Sequence, residues 1–409
     1  MPWQTLDMMQ LKRDFVELAL REGTCFRELC RRFGVSAPTG YKWLARYREA
    51  GARGLEERSR ARHHQPLKTS PASEELILGA RQVHPTWGAR KLRRWLQNKG
   101  HDGLPQPSTI TAILRRHGLL APPARPTGQA WRRFERKAPN ELWQMDFKGW
   151  IPLARGGRCY PLTVLDDHSR FNLVLDACGG ETGAIVRPRL ERAFSTYGLP
   201  DAILCDHGNP WGDGRGFFTF FEAWLLRLGV EVLHGRPSHP QTQGKEERFH
   251  RTLKQEVLSR TTAWRDLAHC DERFRVWREI YNHERPHEAL GGEVPASRHE
   301  ASHRPLPDKL RDAESWYEPG EETRMVKSKG EMTFRNIFWN VGRAFTGQKV
   351  ALRPLGERRW EVVYCWKRIG IIDLDETGGK PKGWYEPLMD RFDQDGNPTR
   401  GVNDVPEQM

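Results

Sequence analysis

No CxxC pair and no Cys/His cluster at zinc spacing occurs in this chain; its seven cysteines, at 25, 30, 159, 178, 205, 270 and 365, stand apart. Neither a zinc module nor a disulfide framework is therefore expected. No uninterrupted apolar run approaches the roughly 18 residues that a membrane span needs, and the first residues lack a basic-then-apolar signal. The expectation is a soluble protein of a reducing cytoplasm with no membrane partner. Acidic residues are scarce in the N-terminal third: Met1 to Ala138 holds 27 Lys and Arg against 12 Asp and Glu, a net of +15 in a chain whose formal net charge is +13. The rest is near neutral, with 39 basic against 41 acidic residues. A polyanion-binding region joined to something neutral follows, and nucleic acid is the polyanion that fits.

At 409 residues the chain is too long for one core. Leu11, Phe15, Leu18 and Ala19 repeat at helical spacing, and a second short helix follows over Phe26 to Phe33. In "GVSAPTGYKWLARYREAG", Gly34 can supply a left-handed turn, Ser36 can cap the next helix, and Pro38 is tolerated in its first turn. Helix, glycine-containing turn and capped helix form a helix-turn-helix pattern, with Thr39, Lys42 and Arg46 expected on the exposed face of the recognition helix. "RSRARHHQPLKTSPAS" reads as a basic linker. Three more helical segments follow, and the cluster Arg90, Lys91, Arg93 and Arg94 beside Trp95 reads as the DNA-facing part of a second such unit. A solvated charged face is the plain alternative.

From Asn140 the periodicity changes to strands, then alternates helix and strand, which indicates a mixed α/β domain. Short strands near the C-terminus, "MTFRNIFWNVG" to "IGIIDLD", suggest a small β-barrel. The expected division is a helix-turn-helix domain over 1–60, a linker over 61–72, a second helix-turn-helix-like unit over 73–121, a linker over 122–138, the α/β core over 139–300, a linker over 301–330, the barrel over 331–390 and a flexible tail over 391–409.

Three carboxylates stand where folding alone does not ask for them. Asp146 lies inside an apolar strand, and Asp206 ends one at "AILCD"; aspartate is depleted in strands and costly to bury unpaired. Hard divalent cations take oxygen ligands, and two of them serve phosphoryl transfer. In "GKEERFHRTLK", Glu246 and Glu247 lie about 100° apart on one helix, so only one can point at a shared site. Glu247 shares its stripe with Arg251 and Lys254, two phosphate-seeking cations, which favours it weakly.

"WQMDFKGW", "LDDHSRF", "LCDHGNPW", "HPQTQGKEERFHRTLK" and "YNHERPHEAL", in that order, resemble the integrase-type catalytic core of bacterial insertion-sequence transposases, relatives of retroviral integrases on a ribonuclease H-like fold. The resemblance is strong over about Trp131 to Pro295. It implies an Asp-Asp-Glu triad at Asp146, Asp206 and Glu247, holding Mg²⁺, with Mn²⁺ able to substitute and two ions expected. It implies cleavage at the ends of an element and transfer of the freed strand into target DNA, in the bacterial cytoplasm and on the nucleoid. Lys245, Arg251 and Lys254 would then contact the DNA backbone. Two ends must be joined in one complex, so a dimer or higher oligomer on double-stranded DNA is expected. A catalytically impaired DNA-binding regulator is the alternative.

Overall fold

The computed structural model describes residues 7–57, 69–120, 135–206, 208, 210–211, 218–234 and 244–375, with the backbone alone of four short strands beyond. It forms two compact units, Met1–Thr69 and Ser70–Met409. The first unit holds α1 (Met8–Ala19), α2 (Phe26–Arg32) and α3 (Ala37–Ala50). Phe15, fully buried, is the centre of its core, meeting Phe26, Phe33 and Trp43 edge-on. Gly34 turns the chain at φ +64°, and Ser36 caps α3 by accepting from the Thr39 amide.

Two glycines let this small unit close. A Cβ on Gly40 would sit 2.7 Å from the Phe15 ring, and one on Gly54 would sit 2.1 Å from the Arg46 carbonyl oxygen. A side-chain ring can shift, but a helix carbonyl cannot. Gly54→Ala is therefore expected to destabilise the first unit by about 2 kcal/mol or more, read as an earlier unfolding transition in the full chain, while Gly40→Ala costs less.

The second unit opens with three helices, α4 (Pro71–Val83), α5 (Ala89–Asn98) and α6 (Pro107–Arg116), around Ile77, Trp87, Leu92, Leu96 and Ile110. The linker between the helical units and the segment ahead of the α/β domain fall largely outside the described residues. The α/β domain runs β1 (Leu142–Phe147), β2 (Ile151–Pro152), β3 (Arg158–Asp166), β4 (Asn172–Cys178), α7 (Gly183–Tyr197), β5 (Ala202–Cys205), α8 (Phe220–Arg227), β6 (Glu231–His234), α9 (Gly244–Glu256) and α10 (Leu267–Glu279). β1, β3 and β4 pair antiparallel, while β1, β5 and β6 pair parallel, so the sheet is mixed.

Both faces of that sheet are covered. Trp143, Met145, Leu162 and Val164 pack against Leu190, Phe194, Trp224 and Leu225 of α7 and α8. Leu165, Leu175 and Ala177 pack against Phe249 and Leu253 of α9 and Phe274 and Trp277 of α10. Each fully buried aromatic contributes roughly 2–3 kcal/mol through area removed from water. The alternation of strand side chains thus commits the odd residues of β1 to α7 and α8, and the even ones to the other face.

The C-terminal strands do not make the expected barrel. Among the described residues β7 (Thr323–Met325), β10 (Lys349–Pro354), β11 (Arg359–Tyr364), β12 (Lys367–Asp373) and β14 (Tyr385–Pro387) form one five-stranded sheet. β8 (Glu331–Phe334) and β9 (Ile337–Asn340) form a separate hairpin with β13 (Lys382–Gly383). The edges β7 and β14 are not hydrogen-bonded to each other, so neither sheet closes. The chain turns away at Gly330, whose backbone abuts Gly342, and Trp339 is fully buried in a core that also holds Val350 and Leu352 of the larger sheet. This domain rests on α8 through Ala223 and Leu226, with the Trp366 indole donating to the Leu226 carbonyl at 3.2 Å. The tail is not wholly free either: β15 (Arg391–Phe392) extends the α/β sheet beyond β6 and pairs with β16 (Pro398–Thr399). No described helix is long and apolar enough to cross a membrane.

Candidate active site

Asp146 is an even residue of β1 and so faces away from the large aromatic core. Its side chain is 27% exposed, and Oδ1 accepts from the Phe147 amide at 2.8 Å. Thr163 stands opposite it in β3, fully buried, and its hydroxyl donates to the Asp146 carbonyl at 3.0 Å. Burial pushes the Asp146 carboxyl up to about 7, and the charge of Asp206 adds to this.

Asp206 follows the last residue of β5, the parallel neighbour of β1, which brings the two aspartates to one edge of the sheet. It is exposed, and its Oδ1 accepts from the Gly208 amide at 2.9 Å in an Asx turn. Its backbone is pinned from below by two residues that sequence reasoning did not single out. His234, ending β6, donates from Nδ1 to the Asp206 carbonyl at 2.7 Å and from Nε2 to Glu222 at 2.8 Å. Burial opposes charge on His234, but Cys205 and Glu222 beside it raise its pKa to about 11, so it carries both protons. Glu222 is itself the capping-box residue of α8. The only signal in the sequence was a histidine closing an apolar strand, which periodicity alone reads as an edge residue.

α9 turns the other way round from expectation. Phe249, Leu253 and Val257 pack into the sheet, and the stripe they define includes Glu246 and His250. Glu246, 1% exposed, points at β3: Oε2 accepts from Thr163 at 3.1 Å, while Oε1 has no partner. Burial and the nearby Asp146 raise its pKa well above the ordinary carboxyl value. His250 lies 2.9 Å from the Thr163 hydroxyl and 3.8 Å from Asp146 Oδ2, and burial, with Lys148, lowers its pKa to about 3. Glu247 is exposed, as are Arg251 and Lys254. The structure thus brings Asp146 and Asp206 together and puts Glu246, not Glu247, against Asp146. Among the described residues no three His, Cys, Asp or Glu side chains converge as a ready cation cage.

Several expected DNA contacts are engaged elsewhere. Lys245, largely buried, is ion-paired to Asp167, and burial lowers its pKa to about 8 despite that partner. The motif "LDDHSRF" is a structural turn: Asp166 accepts from Ser169 and from the Asn140 amide, and Asp167 from Gln144 and from the Arg136 amide. On α5, Arg90 pairs with Glu288 at 3.3 Å, and the Arg94 stem lies against Gly292. Lys91 is half-buried, its pKa lowered to about 8 by burial and by Arg285. The basic face of α5 therefore looks toward the α/β domain. On α3 the outward stripe is Pro38, Tyr41, Lys42 and Ala45, whereas Thr39 and Arg46 are half-buried. Tyr41, 57% exposed, adds an aromatic to that stripe.

Comparison with known proteins matches this arrangement segment by segment. Residues 136–240 and 228–295 each match an integrase core domain, and residues 321–380 match the C-terminal domain of IS481 family transposases. Residues 11–63 match a helix-turn-helix domain and 39–114 a homeodomain-like domain. Among relatives, an uncharacterized 39.2 kDa protein of insertion element IS476 from Xanthomonas euvesicatoria is 29% identical over 57% of this chain and 66% of its own length. An uncharacterized 31.7 kDa protein of IS407 from Burkholderia multivorans is 32% identical over 42% of this chain and 59% of its own. The chain thus spans under two thirds of either relative. The HTLV-2 integrase catalytic core domain in complex with magnesium aligns at 14% identity and a TM-score of 0.31, covering 40% of this chain and 99% of that one. A simian T-cell lymphotropic virus intasome with a PP2A regulatory subunit aligns at 16% and 0.35, covering 72% and 97%.

Proposed function

We propose that this chain, which has the domain order of a bacterial insertion-sequence transposase, binds the terminal inverted repeats of its element, cleaves their ends and joins them to target DNA. The observation that carries this reading is the pair Asp146 and Asp206 at the carboxyl ends of adjacent parallel strands, where burial and the charge of Asp206 raise the Asp146 pKa. That donor set fits Mg²⁺, which takes few carboxylates and keeps water and phosphate oxygens as its other ligands. Bound there, with Mn²⁺ able to substitute, two ions would activate the attacking oxygen and stabilise the leaving one.

The residues of the chain do the rest. Asp146 gives up the proton that burial favours, Asp206 is turned outward by its Asx turn, and His234 and Glu222 hold that turn in place. For the third carboxylate we keep Glu247, the accessible one of the two adjacent glutamates in the first turn of α9. A fully buried Glu246, whose pKa burial raises, suits packing better than ligation. Arg251 and Lys254, exposed on the following turns, would take DNA phosphates. Joining two ends calls for at least two copies on the DNA.

The test uses duplex oligonucleotides carrying the inverted repeats that flank the gene. Nicking at the repeat end and strand transfer are expected with Mg²⁺ or Mn²⁺, and both are lost on chelation while duplex binding persists. Binding with no cleavage under either ion would replace the transposase by a DNA-binding regulator.

A further inference from the structure

The helices α4–α6 are joined to the α/β domain at the turn that carries "YNHERPHEAL". It begins with one π-helical turn, Ile280–Glu284, at the end of α10, a rare geometry frequent at functional sites. Its side chains reach three different elements. Asn282 clasps the outer edge of β4, accepting from the Asn172 amide at 2.8 Å and donating to its carbonyl at 3.0 Å. Arg285 pairs with Glu256 of α9 at 3.0 Å, both side chains less than a tenth exposed. Glu284 points the opposite way and accepts from the Trp95 indole of α5 at 3.1 Å, with the Lys99 ammonium at 3.4 Å. Ile280 packs into the core of α4–α6, and Arg90 and Glu288 close the rim.

One short turn therefore touches the helix that carries Glu246 and Glu247, the edge of the catalytic sheet, and the helical unit. The exposed Arg90–Glu288 pair adds little stability by itself, whereas reversing one of its charges would set like charges face to face across the joint. The indole donating to a charged acceptor, over a shared apolar contact, holds the joint.

We propose that this turn registers the α4–α6 unit on the catalytic domain, so that DNA held by the helices meets the active site at one fixed phosphodiester, with Glu284 and Trp95 as positioning residues. The inference rests on reading α4–α6 as a DNA-binding unit. It gives the basic residues of α5 a purpose that base or phosphate contact does not, since they face the catalytic domain. It also explains why a π-turn is tolerated there: the extra residue swings Glu284 outward to α5 while Asn282 and Arg285 stay on the catalytic side.

The experiment uses the full chain on a duplex that it selects from a random-sequence pool. A chelated iron is tethered at Lys148→Cys in a Cys25→Ser background, since Cys25 is the exposed native cysteine. The iron cuts DNA wherever the active site lies, without using the catalytic carboxylates. The parent protein is expected to cut in a narrow window. Trp95→Phe and Glu284→Gln should widen the window and slow end cleavage by about tenfold, with duplex affinity held within about twofold, because misplacement costs rate far more than binding. Arg90→Glu and Glu288→Arg should each widen it and together narrow it again, a surface exchange that leaves folding alone. An unchanged window in all these variants overturns the inference. If the protein never cleaves DNA with its own metal, yet the tethered cuts are narrow and widen as described, the transposase reading fails and the registration stands.

Discussion

Glu247→Gln is expected to reduce end cleavage and strand transfer by on the order of a thousandfold or more, as loss of a charged group acting on the transition state does. Glu246→Val is expected to leave both within about threefold. The two glutamates are adjacent but occupy different environments: Glu247 is open to solvent, while Glu246 is buried with one oxygen unpartnered and its pKa raised. A buried acid whose partners are a threonine hydroxyl and a histidine 3.6 Å away can be replaced by an apolar side chain at little cost, since the penalty of burying its polar atoms disappears with it. The measurement is a single-turnover cleavage assay on a labelled repeat end, beside a melting curve for each variant. A dead Glu246→Val with a normal melting temperature, next to an active Glu247→Gln, would transfer the third ligand to position 246.

Asp146→Asn should separate function from stability. Cleavage should fall by on the order of a thousandfold, while the metal-free protein becomes more stable at pH 8 by up to about 4 kcal/mol. The sign follows from protons bound. The Asp146 carboxyl titrates near 3.8 when unfolded and is pushed up to about 7 in the folded chain by burial. Between those values the native state binds the extra proton, so stability falls as pH rises from about 4 to about 7 and stays low above it. Asparagine removes that penalty. Melting temperatures of parent and variant in chelator should therefore coincide most closely near pH 4 and diverge up to pH 7; divergence in the opposite sense would show that Asp146 is stabilised as a charge.

How much of this was legible in the sequence depends on the range of the interactions involved. Helix caps, turn glycines and hydrophobic period are local, and they placed α1–α3, the change to strands at β1, Asp146 within a strand and Asp206 at a strand end. The C-terminal strands were also legible as strands, but closure into a barrel depends on which edges meet, and β7 and β14 do not. Lys245 reads as a cation open to the DNA backbone until the buried Asp167, 78 residues earlier, takes it. Asp206 is visible in sequence, whereas Glu222 and His234 beneath it become meaningful only when α8 and β6 pack together.

By itself the sequence determined that this is a basic, helical N-terminal region joined to a mixed α/β domain with acidic residues at its strand ends. Period, caps and charge count need only neighbours along the chain. Tertiary structure alone decided which way two helices face. On α9 the demand to bury Phe249, Leu253 and Val257 turned Glu246 inward and left Glu247 outside. On α5 the indole of Trp95 and the charges of Arg90 and Lys99 found acids on the α/β domain. A helix has several stripes that satisfy its own sequence, and the surface it meets selects among them.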